Sequence, residues 1–317
     1  MKKLITIIAL AFISYGIVSN PISEGYLRSL NRDAVPVIKS SNDISLYDEI
    51  EQKASEYNIK PIDAKIDPIW KAIPGLNGFE VDVKASYKKM KGERKFDEEK
   101  LIFKEVKPKI HLTDLPPNPI YKGNPNKPMV AFIINVAWGN EYLSEILSIL
   151  KKHNVRASFF LEGRWTKNNP ELAKMIVSAG HEVGNHSFTH PDMKRLTSSR
   201  IQEEIQRTND VIMATTDVTP KWFAPPSGSF RDEVVKIAAN NHLGTVMWSV
   251  DTIDWQKPEP EVLIERVLGK IHNGALILMH PTESTTKALD RLIIGIKEKN
   301  LEMNTVSETL SENNLKR

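Results

Sequence analysis

The chain contains no cysteine, which excludes disulfide scaffolds, thiol nucleophiles and thiolate metal sites. Stability must then come from a core, and 317 residues suffice for one large or two modest domains. Net charge is low too. It is only +3, with 26% charged residues of both signs spread along the chain. A dedicated nucleic-acid binder concentrates Lys and Arg on one face, so no nucleic-acid partner is expected. A run long enough to cross a membrane is also missing at the N-terminus. Leu4 to Val18, after Lys2 and Lys3, is about 15 residues long and suits an export leader better than a span of about 20. Its exit, Ser14-Tyr15-Gly16, has small residues but no A-x-A pattern, so cleavage stays open. An uncleaved leader would anchor the chain to a membrane facing outside, and a buried N-terminal helix is the alternative. Export is the expectation, to the extracellular space, the cell wall or the membrane's outer face.

Proline divides the remainder. Leu115-Pro116-Pro117-Asn118-Pro119 and Gly123-Asn124-Pro125-Asn126-Lys127-Pro128 read as an extended linker. The expected organisation is a leader over residues 1–20, a small α+β domain over 21–114, the linker over 115–128 and a larger domain over 129–317. Tyr47 to Tyr57 has helical spacing, while Phe79 to Val83 and Leu101 to Val106 read as strands. No motif with chemistry occurs in that region, which reads as a spacer or docking module.

After the linker, strands and helices alternate. Val130 to Ile134 is a continuous apolar run, as in a strand buried on both faces. Glu141 to His153 follows, with a helical stripe at Leu143, Ile146, Leu147 and Leu150. Strands are predicted at Ala157 to Leu161, Glu182-Val183, Trp222-Phe223, Gly244 to Val250 and Ala275 to Met279. Helices are predicted from Pro170 to Gly180, Thr197 to about Thr215, Asp232 to Asn240, Glu261 to Ile271 and about Thr285 to Lys299. Repeated units of this kind imply a largely parallel sheet, open or closed into a barrel. Ligand chemistry then gathers in loops at the C-terminal ends of the strands.

Three segments fall there. In Asn185-His186-Ser187-Phe188-Thr189-His190-Pro191, two imidazoles stand four residues apart and could aim at one metal ion if the backbone makes a helical turn. Such a pair also arises by chance. Trp248-Ser249-Val250-Asp251-Thr252-Ile253-Asp254-Trp255 ends a strand with two carboxylates flanked by indoles. This suits a sugar site, or else a capping Asp beside core tryptophans. Leu278-Met279-His280-Pro281 places one His at a strand end, either catalytic or a satisfied structural group.

Together these segments resemble the polysaccharide deacetylase (NodB-homology) family over about residues 127 to 300. Phe223-Ala224-Pro225-Pro226-Ser227-Gly228-Ser229-Phe230 and Ala157-Ser158-Phe159-Phe160-Leu161-Glu162-Gly163 add to the match in order and spacing. With its leader, the chain is similar to exported deacetylase-like proteins of Gram-positive spore formers. The resemblance implies an irregular (β/α) barrel preceded by the small α+β domain. It implies metal-assisted hydrolysis of an N-acetyl amide, a non-peptide C–N bond, on chitin-like glycan or peptidoglycan. His186 and His190 would be metal ligands, His280 the acid, and Asp251 the carboxylate hydrogen-bonded to it. Trp255, Pro225, Pro226 and Leu278 would contact substrate.

The family's first motif is an Asp-Asp pair that supplies the base and a metal ligand. Aligned without gaps from Glu141, the base position is Asn135 and the third-ligand position is Val136. An amide cannot accept the proton, and Val has no donor atom. The Arg that orients the base is replaced by Ala224. Loss of all three together is coherent, since an Arg kept without its carboxylate would be a buried unpaired charge. Zinc or another divalent ion is expected to bind weakly, unless Asp192, Asp254 or a substrate oxygen completes the shell. Replacing Asn135 and Val136 with Asp is expected to raise metal affinity. Three readings follow: a deacetylase with a modified site, a non-catalytic glycan-binding member, or a structural envelope protein whose N-terminal region does the work.

Overall fold

The computed structural model describes residues 45–315, so the expected leader and the first part of the 21–114 region lie outside the described residues. The described residues form two compact units. One takes residues 45–53 and 83–101. It contains the first turns of α1 (Leu46–Tyr57) and all of α2 (Val83–Met90). Tyr47 meets Tyr87 edge to face at 5.7 Å, and Lys53 lies over the Phe96 ring at 4.2 Å.

The second unit takes residues 54–82 and 102–315, so the proline-rich stretch lies inside the unit that carries the main sheet. That stretch is extended, as its composition predicts, but it does not simply span solvent. Ile120 N–H donates to Thr245 O at 2.9 Å, Met247 N–H to Ile120 O at 2.8 Å and Gly123 N–H to Gly274 O at 2.8 Å. Extended proline-rich backbone has no internal hydrogen bonds, so its remaining groups are available to a neighbour. Upstream, β1 (Lys65–Asp67) pairs antiparallel with β2 (Lys71–Ile73), and β3 (Gly78–Val81) with β4 (Phe103–Val106).

The main elements follow in alternation. They are β5 (Met129–Val136), α3 (Asn140–Lys152), β6 (Ser158–Leu161), α4 (Gly163–Asn168), α5 (Pro170–Ser178), β7 (Glu182–Asn185) and α6 (Ser198–Thr216). Next come β8 (Trp222–Phe223), α7 (Asp232–Asn240), β9 (Gly244–Thr245), β10 (Val250–Asp251) and α8 (Pro260–Lys270). β11 (Leu276–Met279), α9 (Glu283–Glu298), β12 (Glu302–Asn304) and α10 (Val306–Leu310) complete the chain. Every pairing in this sheet is parallel, in the order β10-β11-β5-β6-β7-β8-β9, with β12 beside the first half of β5. The resulting sheet is a curled half-barrel of mixed α/β type, as the resemblance implies.

Alternation along β5 builds two cores. Val130, Phe132, Ile134 and Val136 pack towards the helices, with Leu143 and Ile146 of α3 and Leu292 and Ile293 of α9. Ala131 and Ile133 face the other way, with Phe160, Ala224, Val246, Leu276 and Leu278. Because strand side chains alternate, Asn135 shares a face with Ile133 and Val136 does not.

The predicted strand from Gly244 to Val250 is two short strands. β9 and β10 lie at opposite ends of the sheet order. Residues 246–249 join them, a span of at most about 17 Å, so the sheet must curl to bring its ends together. Ile120 bridges Val246 in that gap. The extended conformation is as predicted, but the partner changes midway. β12 and α10 have no counterpart in the predicted elements. Buried Lys127 holds the end of α10, its Nζ donating to Glu308 O at 2.5 Å and Ser311 O at 2.9 Å.

Candidate active site

A cavity of about 460 Å³ opens where β5, β7, β10 and β11 end. The strand ends and the loops after them carry Asn135, His186, His190, Asp251, Trp255, Leu278 and His280 into its wall, so most of the sequence-predicted residues converge. Val136, Pro225 and Pro226 are not part of that wall.

The His pair meets without a helical turn. Ser187 and His190 adopt left-handed backbone, φ 63° and 54°, a conformation that costs non-glycine residues energy and persists only where surroundings enforce it. The enforcement is visible. Asn185 Oδ1 accepts from Ser187 N–H at 2.8 Å, and Ser187 Oγ accepts from His190 N–H at 3.2 Å. Fully buried Glu204 on α6 accepts from Phe188 N–H, Thr189 N–H and Thr189 Oγ at 2.7–2.8 Å, and from Arg200 at 2.9 Å. The imidazoles stand edge to face, 5.0 Å apart. His186 Nδ1 lies 2.7 Å from Ala224 O; as the carbonyl can only accept, Nδ1–H donates and Nε2 keeps its lone pair. Burial, reinforced by His190, holds the His186 pKa down to about 3, and burial also lowers that of His190. Both are thus neutral near pH 7, the form that can ligate a metal.

His280 has a different partner from the one expected. Its Nδ1 lies 2.8 Å from Asp254 Oδ1, its backbone N–H donates to Asp254 Oδ2 at 2.5 Å, and Thr285 Oγ donates to the same oxygen at 2.6 Å. Asp254 is fully buried. Asp251 instead accepts from Ile253 N–H at 2.8 Å. Ile253 sits at φ 54°, an outlier for a β-branched residue. The turn there carries Asp254 back beneath His280, which spacing along the chain did not disclose.

Other expected residues take other roles. Pro225 and Pro226 are buried, and Ser227 from that turn reaches the cavity. Ala224 lies in the apolar interior. Asp192 is held by Ser229 and by Arg195 at 3.0 Å. Asp254 is engaged by His280, and neither residue is part of the cavity wall that holds His186 and His190.

Two residues escaped the sequence reading. Trp138 stacks on His280, with ring centroids 5.7 Å apart and planes 10° from parallel. It is wall to this cavity and to two adjoining hollows. Its signal was an aromatic immediately beyond a buried strand. Gly139 permits this approach, because a Cβ there would fall 2.1 Å from Pro281 O. Glu204 had a signal too, since it shares the buried face of α6 with Ile201, Ile205, Thr208 and Ile212.

Comparison with known proteins decides the kinship. The polysaccharide deacetylase family pattern matches residues 122–246. A peptidoglycan-N-acetylglucosamine deacetylase of Bacillus cereus is 32% identical over 184 residues, covering 56% of this chain and 67% of that protein. The chain belongs to the polysaccharide deacetylase family. The uncharacterized protein YlxY of Bacillus subtilis is 56% identical over 306 residues, covering 96% of this chain and 95% of YlxY. The crystal structure of BA3943 from Bacillus anthracis, described as a CE4 family pseudoenzyme, superposes with a TM-score of 0.81. It is 58% identical and covers 86% of this chain and 97% of that one. A mutant of BA3943 is described as having restored enzymatic activity.

Deacetylases of this family generally depend on a metal, and the donor set here does not fit one. Among the described residues no three His, Cys, Asp or Glu side chains converge to hold an ion. Two imidazoles remain, with Asn135, whose Oδ1 is buried without a hydrogen-bond partner. A neutral amide does not replace a carboxylate, and catalytic zinc uses three protein ligands. Val136 packs against the helices and is not part of the cavity wall.

Proposed function

We propose that the chain is an exported member of the polysaccharide deacetylase family that binds cell-wall glycan, peptidoglycan or chitin-like, without efficient N-deacetylation. One observation carries this reading: the cavity keeps Trp138, Trp248 and Trp255, but among the described residues no carboxylate joins His186 and His190 in a three-residue metal cluster. Indole faces pack on sugar C–H surfaces, whereas hydrolysis needs a base, and removing one costs about 10²–10⁴-fold in rate. The Bacillus cereus relative is named for peptidoglycan N-acetylglucosamine, which supports a wall glycan as ligand. Lys2, Lys3 and the apolar run to Val18 support export, with membrane attachment if the leader is kept.

Purified protein with added Zn²⁺ or Co²⁺ is expected to bind N-acetylated chitooligosaccharide or peptidoglycan and to release no acetate. Trp255→Ala should weaken that binding. Stoichiometric metal with multiple turnovers would sink the proposal. It would favour the second reading, a modified hydrolase, which the intact Asp254–His280–Thr285 cluster keeps in view.

A further inference from the structure

The cavity in which the family does its chemistry has changed character in this chain. Its wall carries one exposed-side carboxylate, Asp251, three indoles and no Lys or Arg. Asp251 is anchored but not neutralised: Oδ1 accepts from Ile253 N–H, and Oδ2 has no partner among the described residues. Asp254 does not share this role, because His280 and Thr285 engage its oxygens. Trp138 and Trp255 keep 47% and 55% of their surface exposed, and stacking on His280 holds the Trp138 ring in place. Indole faces attract cations through the ring quadrupole. A carboxylate adds a charge-assisted acceptor. Together they suit an ammonium group, and the wall, which also holds three imidazoles, carries no Lys or Arg to repel one.

We propose that this cavity binds the free 2-ammonium group of an N-deacetylated amino sugar in the wall glycan, in preference to the N-acetylated residue. The inference rests on the glycan-binding reading of the same site and names the chemical state of the sugar. Asp251 accepts from the ammonium, while the indoles supply cation–π attraction and pack on the pyranose ring. The chain would then act after an amide-hydrolysing reaction on the glycan, by reading its product.

The test is equilibrium binding of the full chain to the fully deacetylated and the fully N-acetylated hexasaccharide of β-1,4-linked glucosamine, at a pH where the amine is protonated. The deacetylated oligomer is expected to bind about tenfold more tightly. Asp251→Asn should abolish that preference, and a cooperative thermal transition like the parent's reports that the variant is folded. Hexalysine serves as the charge-only control, and the +3 net charge of the chain opposes such binding. Equal or tighter binding of the N-acetylated oligomer overturns the inference and leaves glycan binding standing. So does a preference unmoved by Asp251→Asn, or hexalysine binding as tightly as the sugar. If neither oligomer binds, the glycan reading falls and this inference falls with it.

Discussion

Adjacent residues in a strand face opposite ways, and this separates two positions that a motif treats as a pair. Asn135 lines the cavity, and Val136 is buried among helix-facing residues. Asn135→Asp is therefore expected to add a carboxylate beside neutral His186 and His190. Zinc affinity by calorimetry should rise by at least the about 10–100-fold attributed to outer-shell partners alone. Val136→Asp should instead bury a charge and cost about 3 kcal/mol or more, lowering the thermal midpoint by about 6–12 °C. A double variant that is as stable as the parent would contradict that placement. His181 gives a second prediction. Burial, with Arg156 nearby, holds its pKa down to about 4, and Nδ1 accepts from Ala157 N–H at 3.2 Å. The unfolded chain takes up a proton near pH 6.5 that the folded chain refuses, so stability present above 6.5 is lost as pH falls towards 4. His181→Gln should make the thermal midpoint fall less steeply between those two pH values, with the remainder due to His186 and His190.

Whole elements matter through what they brace. The segment 186–190 has two left-handed residues and no regular hydrogen bonding of its own, so its shape depends on α6. Glu204→Gln keeps size but replaces an acceptor-only carboxylate with a group that offers one acceptor oxygen. It is expected to cost about 1–3 kcal/mol. It should also broaden or shift the ring resonances of His186 and His190, which a distant loss of stability would leave in place. Helix periodicity made α3, α5, α6, α7, α8 and α9 legible, because each buries a 3.6-residue stripe. The short α2, α4 and α10 were not, since helices of eight residues or fewer carry too few turns for a stripe to register.

For the molecule as a whole, the proline-rich stretch is a structural part of the sheet unit. Ile120 fills the gap between the two ends of the strand order, and Lys127 ties down α10. A chain beginning at Met129 is expected to lose its cooperative thermal transition, or to melt at least about 10 °C lower than the parent. Unchanged melting would show that the sheet closes without its N-terminal neighbour.

Hydrophobic period determined the fold class, the parallel sheet and the strand ends where the site lies, because each is written in local pattern, and motif order carried the resemblance to the family. The resemblance to the family implied what Asn135, Val136 and Ala224 stand in place of. Tertiary structure decided the rest. It paired His280 with Asp254 through a left-handed Ile253, laid Trp138 on His280, split β9 from β10 and drew the proline-rich stretch into the sheet. Such features depend on which backbone groups and side chains meet after the sheet curls, and residues far apart in the chain, or turned by a single φ, leave no periodic trace in its sequence.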